Sequence, residues 1–273
     1  MTQWNSLFCS LNTDIESALK QSLENLDYTL YHAFDLVPGK SYPDTLKTFI
    51  MPSNTQWTQI LVDDETELED LETLAEALSA RGTVLLTQLD MSEGALDVYQ
   101  QGEVVDDLVE ALEPYLLDGK SADDMEQALD VKLPLPMIDP ELDEQDQILA
   151  INDLPDDIRN MTAGMNMGRA QKMFQRMTGN LMGRGQAQDA QNMLNSDKLD
   201  WNSEGGLFVR GVLSCLIQGD GWMSPDFPTV RDAYQRHVRK ERRPNAKLYP
   251  GDQQMMDAVP NALDYVPVYG GMD

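Results

Sequence analysis

The 273-residue sequence predicts an α+β fold. Three observations carry the prediction. Residues 57–107 pass through strand-like and helix-like patterning in one short run, with capping and turn chemistry that agree. Hydrophobic residues make up 41% and charged residues 25%, enough apolar content for a real core. Strand-like stretches crowd the first 107 residues, whereas helical patterning dominates later. The expected architecture is an N-terminal mixed or antiparallel sheet of about five strands with helices on one face, in residues 1–132. A mostly helical C-terminal region should follow.

In residues 12–25, Ile15, Leu19 and Leu23 recur at spacing four, the mark of a helix. Residues 28–34 alternate as a strand, and Pro38-Gly39 supplies a turn. A second strand spans 45–51, with Leu46, Thr48 and Ile50 on one face, and a third spans 57–62. The next helix spans 66–81. Thr66 and Glu69 fit a capping box, and six acids in 63–70 suit the positive end of the helix. Leu68, Leu71, Ala75 and Leu78 form its apolar stripe, widened by Leu74, and Gly82 is placed to leave it left-handed.

Residues 83–89 are apolar on both faces, which predicts an internal strand. Residues 95–101 keep one wet face, and Gln101-Gly102 suits a tight hairpin into a return at 103–105. Helices follow over 106–117, which Pro114 ends or kinks, and over 121–130, which Ser121 caps.

Prolines 134, 136 and 140 and the acidic run 141–146 make 133–157 a linker. Residues 158–243 form a mostly helical region. Its stretch 158–188 contains no acid, five bases and six methionines. Residues 207–217 are a compact apolar segment that periodicity assigns neither to helix nor to strand. A basic helix spans 229–242, and residues 244–273, with four prolines and three tyrosines, read as an extended tail.

Charge is distributed unevenly. The formal net charge is −27; residues 1–150 hold 32 acids and 6 bases, whereas 151–273 hold 15 acids and 14 bases. Such a chain should be repelled by nucleic-acid phosphates and anionic lipid and drawn to basic protein surfaces. Helix 229–242 is basic but interleaved with only one aromatic, Tyr234, so nucleic acid is not the expected partner. The chain starts without a basic segment before an apolar run, and its longest apolar run holds Arg210 and is too short to cross a bilayer. Neither a signal peptide nor a membrane span is expected. Two distant cysteines, Cys9 and Cys215, make no disulfide framework, and a cytoplasmic location is expected.

Several chemistries lack their residues. With only His32 and His237, and no CxxC or HExxH, ordinary zinc sites and a histidine triad are disfavoured. The acids of 139–146 lack the glycine and spacing of a calcium loop. No GxSxG, GxGxxG or GxxxxGK[ST] occurs, so no cofactor is expected. Adjacent aspartates at 63/64, 106/107, 123/124 and 156/157 sit at or near helix starts, where carboxylates offset the helix dipole.

The expected function is a non-catalytic interaction protein of adaptor, inhibitor or immunity type. Its acidic face would comprise Asp63, Asp64, Glu67, Asp70, Asp106 and Asp107 and would bind a basic partner. One alternative is an enzyme using the 63/64 and 106/107 carboxylates with a divalent ion. Another is an assembly subunit that self-associates through Met165, Arg169, Lys172, Met173, Arg176 and Met177.

Overall fold

Eight strands build one sheet: β1 (Gln3–Leu11), β2 (Thr29–Tyr31), β3 (Asp44–Ile50), β4 (Thr58–Val62), β5 (Gly82–Asp90), β6 (Glu93–Gln100), β7 (Glu103–Val104) and β8 (Val266–Met272). Their order is β2-β8-β3-β4-β1-β5-β6-β7, and every neighbouring pair is antiparallel. This comes from a computed structural model that describes residues 3–32, 42–53, 55–90, 93–130, 199–245, 247–249 and 251–272. The chain divides into two units, Met1–Val131 with Leu199–Asp273, and Lys132–Lys198; the described residues all belong to the first. The fold is α+β.

Helices cover both faces of the sheet, not one. On the first face lie α1 (Ile15–Asn25) and α2 (Leu68–Ser79). Leu19, Leu23, Leu71, Leu74 and Leu78 meet Leu7, Cys9, Ile60, Val62, Val84 and Leu86 there. On the second face, α3 (Leu108–Leu112), α4 (Ala122–Leu129) and α5 (Glu204–Leu216) cover Trp4, Phe8, Leu85, Leu89 and Val98. Beside them, α6 (Phe227–Arg242) places Phe227, Val230 and Ala233 against Phe49, Leu61 and Tyr269. The segment after α7 (Asp252–Ala258) adds Val259, Ala262 and Tyr265. Each central strand therefore sends alternate side chains into different cores, which is why those strands show no polar alternation.

Two strands enlarge the expected sheet. β1 joins β4 to β5 at its centre. β8 enters between β2 and β3, so the stretch expected as an extended tail ends as an internal strand. Its glycines serve close approach: a Cβ on Gly271 would lie 2.3 Å from the Tyr42 ring, and one on Gly270 would lie 2.9 Å from Tyr28. The outermost strands, β2 and β7, are only three and two residues long, which limits the exposed edge.

Local signals are borne out in part. Asp107 caps α3, and Ser121 with Asp124 forms a complete capping box at α4, while Asp14 caps α1, a cap not among the sequence expectations. Pro114 ends α3 in a 3₁₀ turn, Glu113–Tyr115. Gln101 and Gly102 both take positive φ in the hairpin between β6 and β7. The apolar run 207–217 falls in helix α5, capped by Ser203. The capping box expected at Thr66 and Glu69 does not form: α2 starts one residue later, at an N-cap Glu67 whose side chain makes no capping bond. Leu68 is exposed rather than part of the apolar stripe. Gly82 opens β5, paired with Leu11 of β1, rather than turning left-handed, and a Cβ there would lie 2.2 Å from the Ser10 carbonyl oxygen.

Where β6 meets the start of α5, a Cβ on Gly94 would lie 2.3 Å from the Gly205 carbonyl oxygen. Gly94→Ala is expected to lose about 2–3 kcal/mol in urea unfolding, since two backbones must separate. A loss below about 0.5 kcal/mol would show that the approach is readily relaxed.

Candidate functional site

The outer surface of the α1–α2 layer carries two of the six predicted acids, Glu67 and Asp70. Helix α2 has one apolar flank in the core, so Glu67, Glu69, Asp70, Glu72 and Glu76 stand on its open side. Asp70 gathers the densest group. Burial, and then repulsion from Asp44, Glu67 and Glu69, raises its carboxyl above the usual range, partly offset by the Tyr28 hydroxyl. On the β6 side, burial together with Asp97, Glu72 and Glu76 pushes the Tyr99 hydroxyl up to about 12. No lysine or arginine among the described residues pairs with an α2 carboxylate.

The other predicted acids lie elsewhere. Asp63 is not on the surface: it is 2% exposed. Asp64, half-buried beside it, has its carboxyl raised by burial and by its contact with Asp63. Asp106 and Asp107 precede α3, on the opposite side of the sheet, where Asp107 Oδ1 accepts the Glu110 backbone N–H at 3.0 Å. The six acids thus do not form one face. The Met/Arg residues Met165, Arg169, Lys172, Met173, Arg176 and Met177 lie outside the described residues.

Asp63 instead ends a polar row on the second face. The register sets Tyr31 opposite Tyr269 and Tyr269 opposite Lys47, and the Asp63 N–H reaches the Lys47 carbonyl at 3.0 Å. Lys47 Nζ donates to Asp63 Oδ2 at 2.7 Å, while Asp63 Oδ1 and the Tyr269 hydroxyl have no hydrogen-bond partner among the described residues. Burial, then Asp63, raises the Tyr269 hydroxyl, which the Arg231 guanidinium partly opposes. The row is a buried carboxylate paired to a partly exposed lysine and flanked by phenols. Among the described residues no three His, Cys, Asp or Glu side chains converge as metal ligands, which leaves the carboxylate–metal idea without a formed site there.

A third feature was only half legible. The predicted basic helix is α6, capped by Asp226, whose Oδ1 accepts the Thr229 N–H at 3.0 Å. Beyond α6 the chain is not a loose tail: it turns back and starts α7 beside the helix. Asp252 Oδ1 accepts from Arg236 Nε at 3.0 Å, and Asp252 Oδ2 accepts from the Tyr249 N–H at 2.8 Å. The Arg239 guanidinium lies 4.9 Å over the Tyr249 ring. An open groove of about 640 Å³ results, lined by Arg236, Arg239, Arg242, Arg243, Tyr249 and Asp252. His237 Nε2 lies 3.3 Å from the Met256 carbonyl oxygen.

Comparison of the chain with protein-family models, curated proteins and solved structures finds no match. The class is therefore set by what the structure displays: a three-layer antiparallel α+β protein with an acidic helical layer and a basic groove on opposite faces of one sheet.

Lys47→Met would leave the Asp63 carboxylate buried without its cation. The expected loss is about 3–5 kcal/mol, largely recovered when Asp63→Leu is added. Strict additivity in that double-mutant cycle would show that the two groups are uncoupled. At Asp70 the folded chain binds the proton more tightly than the unfolded chain. The charged form therefore costs stability above the folded pKa, and the cost fades as pH falls toward 3.8. Asp70→Asn should raise the melting temperature slightly at pH 7, by less than about 1 kcal/mol in free energy, and have no effect in acid.

Proposed function

We propose that this chain is a non-catalytic interaction protein, of adaptor, inhibitor or immunity type, whose acidic α1–α2 layer captures a basic protein surface. The observation that carries the reading is the crowding of Asp44, Glu67 and Glu69 around Asp70 with no lysine or arginine among the described residues paired to an α2 carboxylate. Unpaired carboxylates on a folded surface repel one another, so a cationic partner relieves a cost the fold itself sustains. Such a patch accelerates encounter with a cationic partner and weakens as salt screens it over about 8 Å. The layer sits on helices with a well-filled apolar underside, which gives a partner a fixed array of charges.

Two further features fit the same reading. Both cysteines, Cys9 and Cys215, are buried and free, as suits a reducing cytoplasm. Among the described residues no helix is long and apolar enough to cross a membrane.

The test is affinity capture from lysate at low salt with the full chain, compared with a Glu67→Gln, Glu69→Gln, Asp70→Asn, Glu72→Gln variant. Basic proteins should be retained by the natural chain, released by salt, and retained about tenfold less by the variant. Equal retention by both chains, or no salt-released basic protein, would refute the acidic layer as the binding surface.

A further inference from the structure

The groove beside α6 is independent of the acidic layer and lies across the sheet from it. On a chain of net charge −27, it collects four arginines and one carboxylate. We propose that this groove binds the phosphate chain of a small ligand, either a free polyphosphate or one carried by a nucleoside.

The placement of the arginines sets the ligand class. Arg236, Arg239 and Arg242 stand in the last two turns of α6 with Arg243 as its C-cap, and six residues of helix advance about 9 Å. One phosphate or carboxylate cannot touch that whole line; a row of phosphates can. Guanidinium groups suit this role because their planar fork donates two parallel hydrogen bonds to an oxyanion and keeps its charge at any working pH.

Basic residues in the last turn of a helix also offset its carbonyl ends, which accounts for part of the charge at Arg239, Lys240 and Arg242. It does not account for Arg236, which lies further back, or for Tyr249 and Asp252, which come from the returning segment. Asp252 shows how the groove holds an oxyanion. It is 7% exposed and takes hydrogen bonds from the Tyr249 N–H and from Arg236, and these contacts hold its carboxyl below the usual range. Its other neighbour, Arg239, is 3.9 Å away, too long for a full hydrogen bond. Arg239 and Arg243 are exposed beyond it, toward the open side. Tyr249 is 63% exposed, with Arg239 over its ring, and offers an aromatic surface beside the cations. The molecule's overall negative charge acts weakly here, because ionic screening over about 8 Å leaves the local cations dominant.

The test is titration calorimetry of the full chain with sodium tripolyphosphate at about 0.15 M salt, repeated with a nucleoside triphosphate. The natural chain should bind tripolyphosphate saturably. Arg239→Gln with Arg243→Gln, both at exposed positions that leave the core untouched, should weaken it at least about tenfold, as expected for losing charged hydrogen bonds. Asp252→Asn removes the built-in anion and should tighten binding several-fold, a sign that mere structural damage would not produce. Equal affinity for both probes identifies a bare phosphate chain as the ligand. Tighter nucleotide binding that falls to the tripolyphosphate level in Tyr249→Ala identifies a nucleotide. Absence of saturable binding, an unchanged affinity in the double arginine variant, or binding only to an oligonucleotide would overturn the proposal.

Discussion

β3 has β4 on one side, and its other side stays open until Val266–Met272 returns from the far end of the chain. Seven residue pairs then form between β3 and β8, and Thr48 Oγ1 donates to the Val268 carbonyl at 2.7 Å across 220 residues. The closure entropy of so long a loop grows only logarithmically, so the return is thermodynamically tolerable once the strand is internal. Much of the second face depends on it. The 3₁₀ turn Ala262–Asp264 leads directly into β8, and α7 precedes that turn. α7 in turn holds Asp252 against Arg236. The groove geometry is therefore a consequence of where β8 docks.

The sheet also keeps the charges apart. Acids of α2 face solvent on one side and arginines of α6 on the other, with two apolar cores and a sheet between them. Charges separated by more than a Debye length are largely screened, so each surface acts locally and neither neutralises the other. On the second face, the two most buried carboxylates among the described residues each meet a cation. Lys47 and Asp63 are paired at 2.7 Å, and Arg236 and Asp252 at 3.0 Å. A chain with a large net charge thus keeps an acidic helical surface and a compact basic groove on the same molecule.

Legibility followed the kind of burial. α1, α2 and α6 were readable because each buries one flank, which prints a 3.6-residue period on the sequence. The hairpin at Gln101-Gly102 and the cap at Ser121 were readable because their causes are local. β1 was not, because Trp4 and Phe8 enter one core while Leu7 and Cys9 enter the other, and the buried Asn5 and Ser6 break up the apolar run. β8 was hidden by Pro267, Gly270 and Gly271, residues that normally argue against a strand. Here the glycines make room for Tyr28 and Tyr42.

The sequence by itself determined the α+β class, the helix cap at Ser121 and the segregation of acids from bases. Only the tertiary structure decided which acids share a surface. Asp63 and Asp70 are seven positions apart, yet Asp63 continues β4 toward the second core and Asp70 sits on a helix over the first. Asp107 and Glu67 are both helix N-caps, yet their helices cover opposite faces. Tyr249 and Asp252 acquired a role only when the chain turned back beside α6. The physical reason is one of range. Periodicity and capping act over a few residues, whereas the face a side chain occupies is set by strand order, and strand order is settled by contacts between distant parts of the chain.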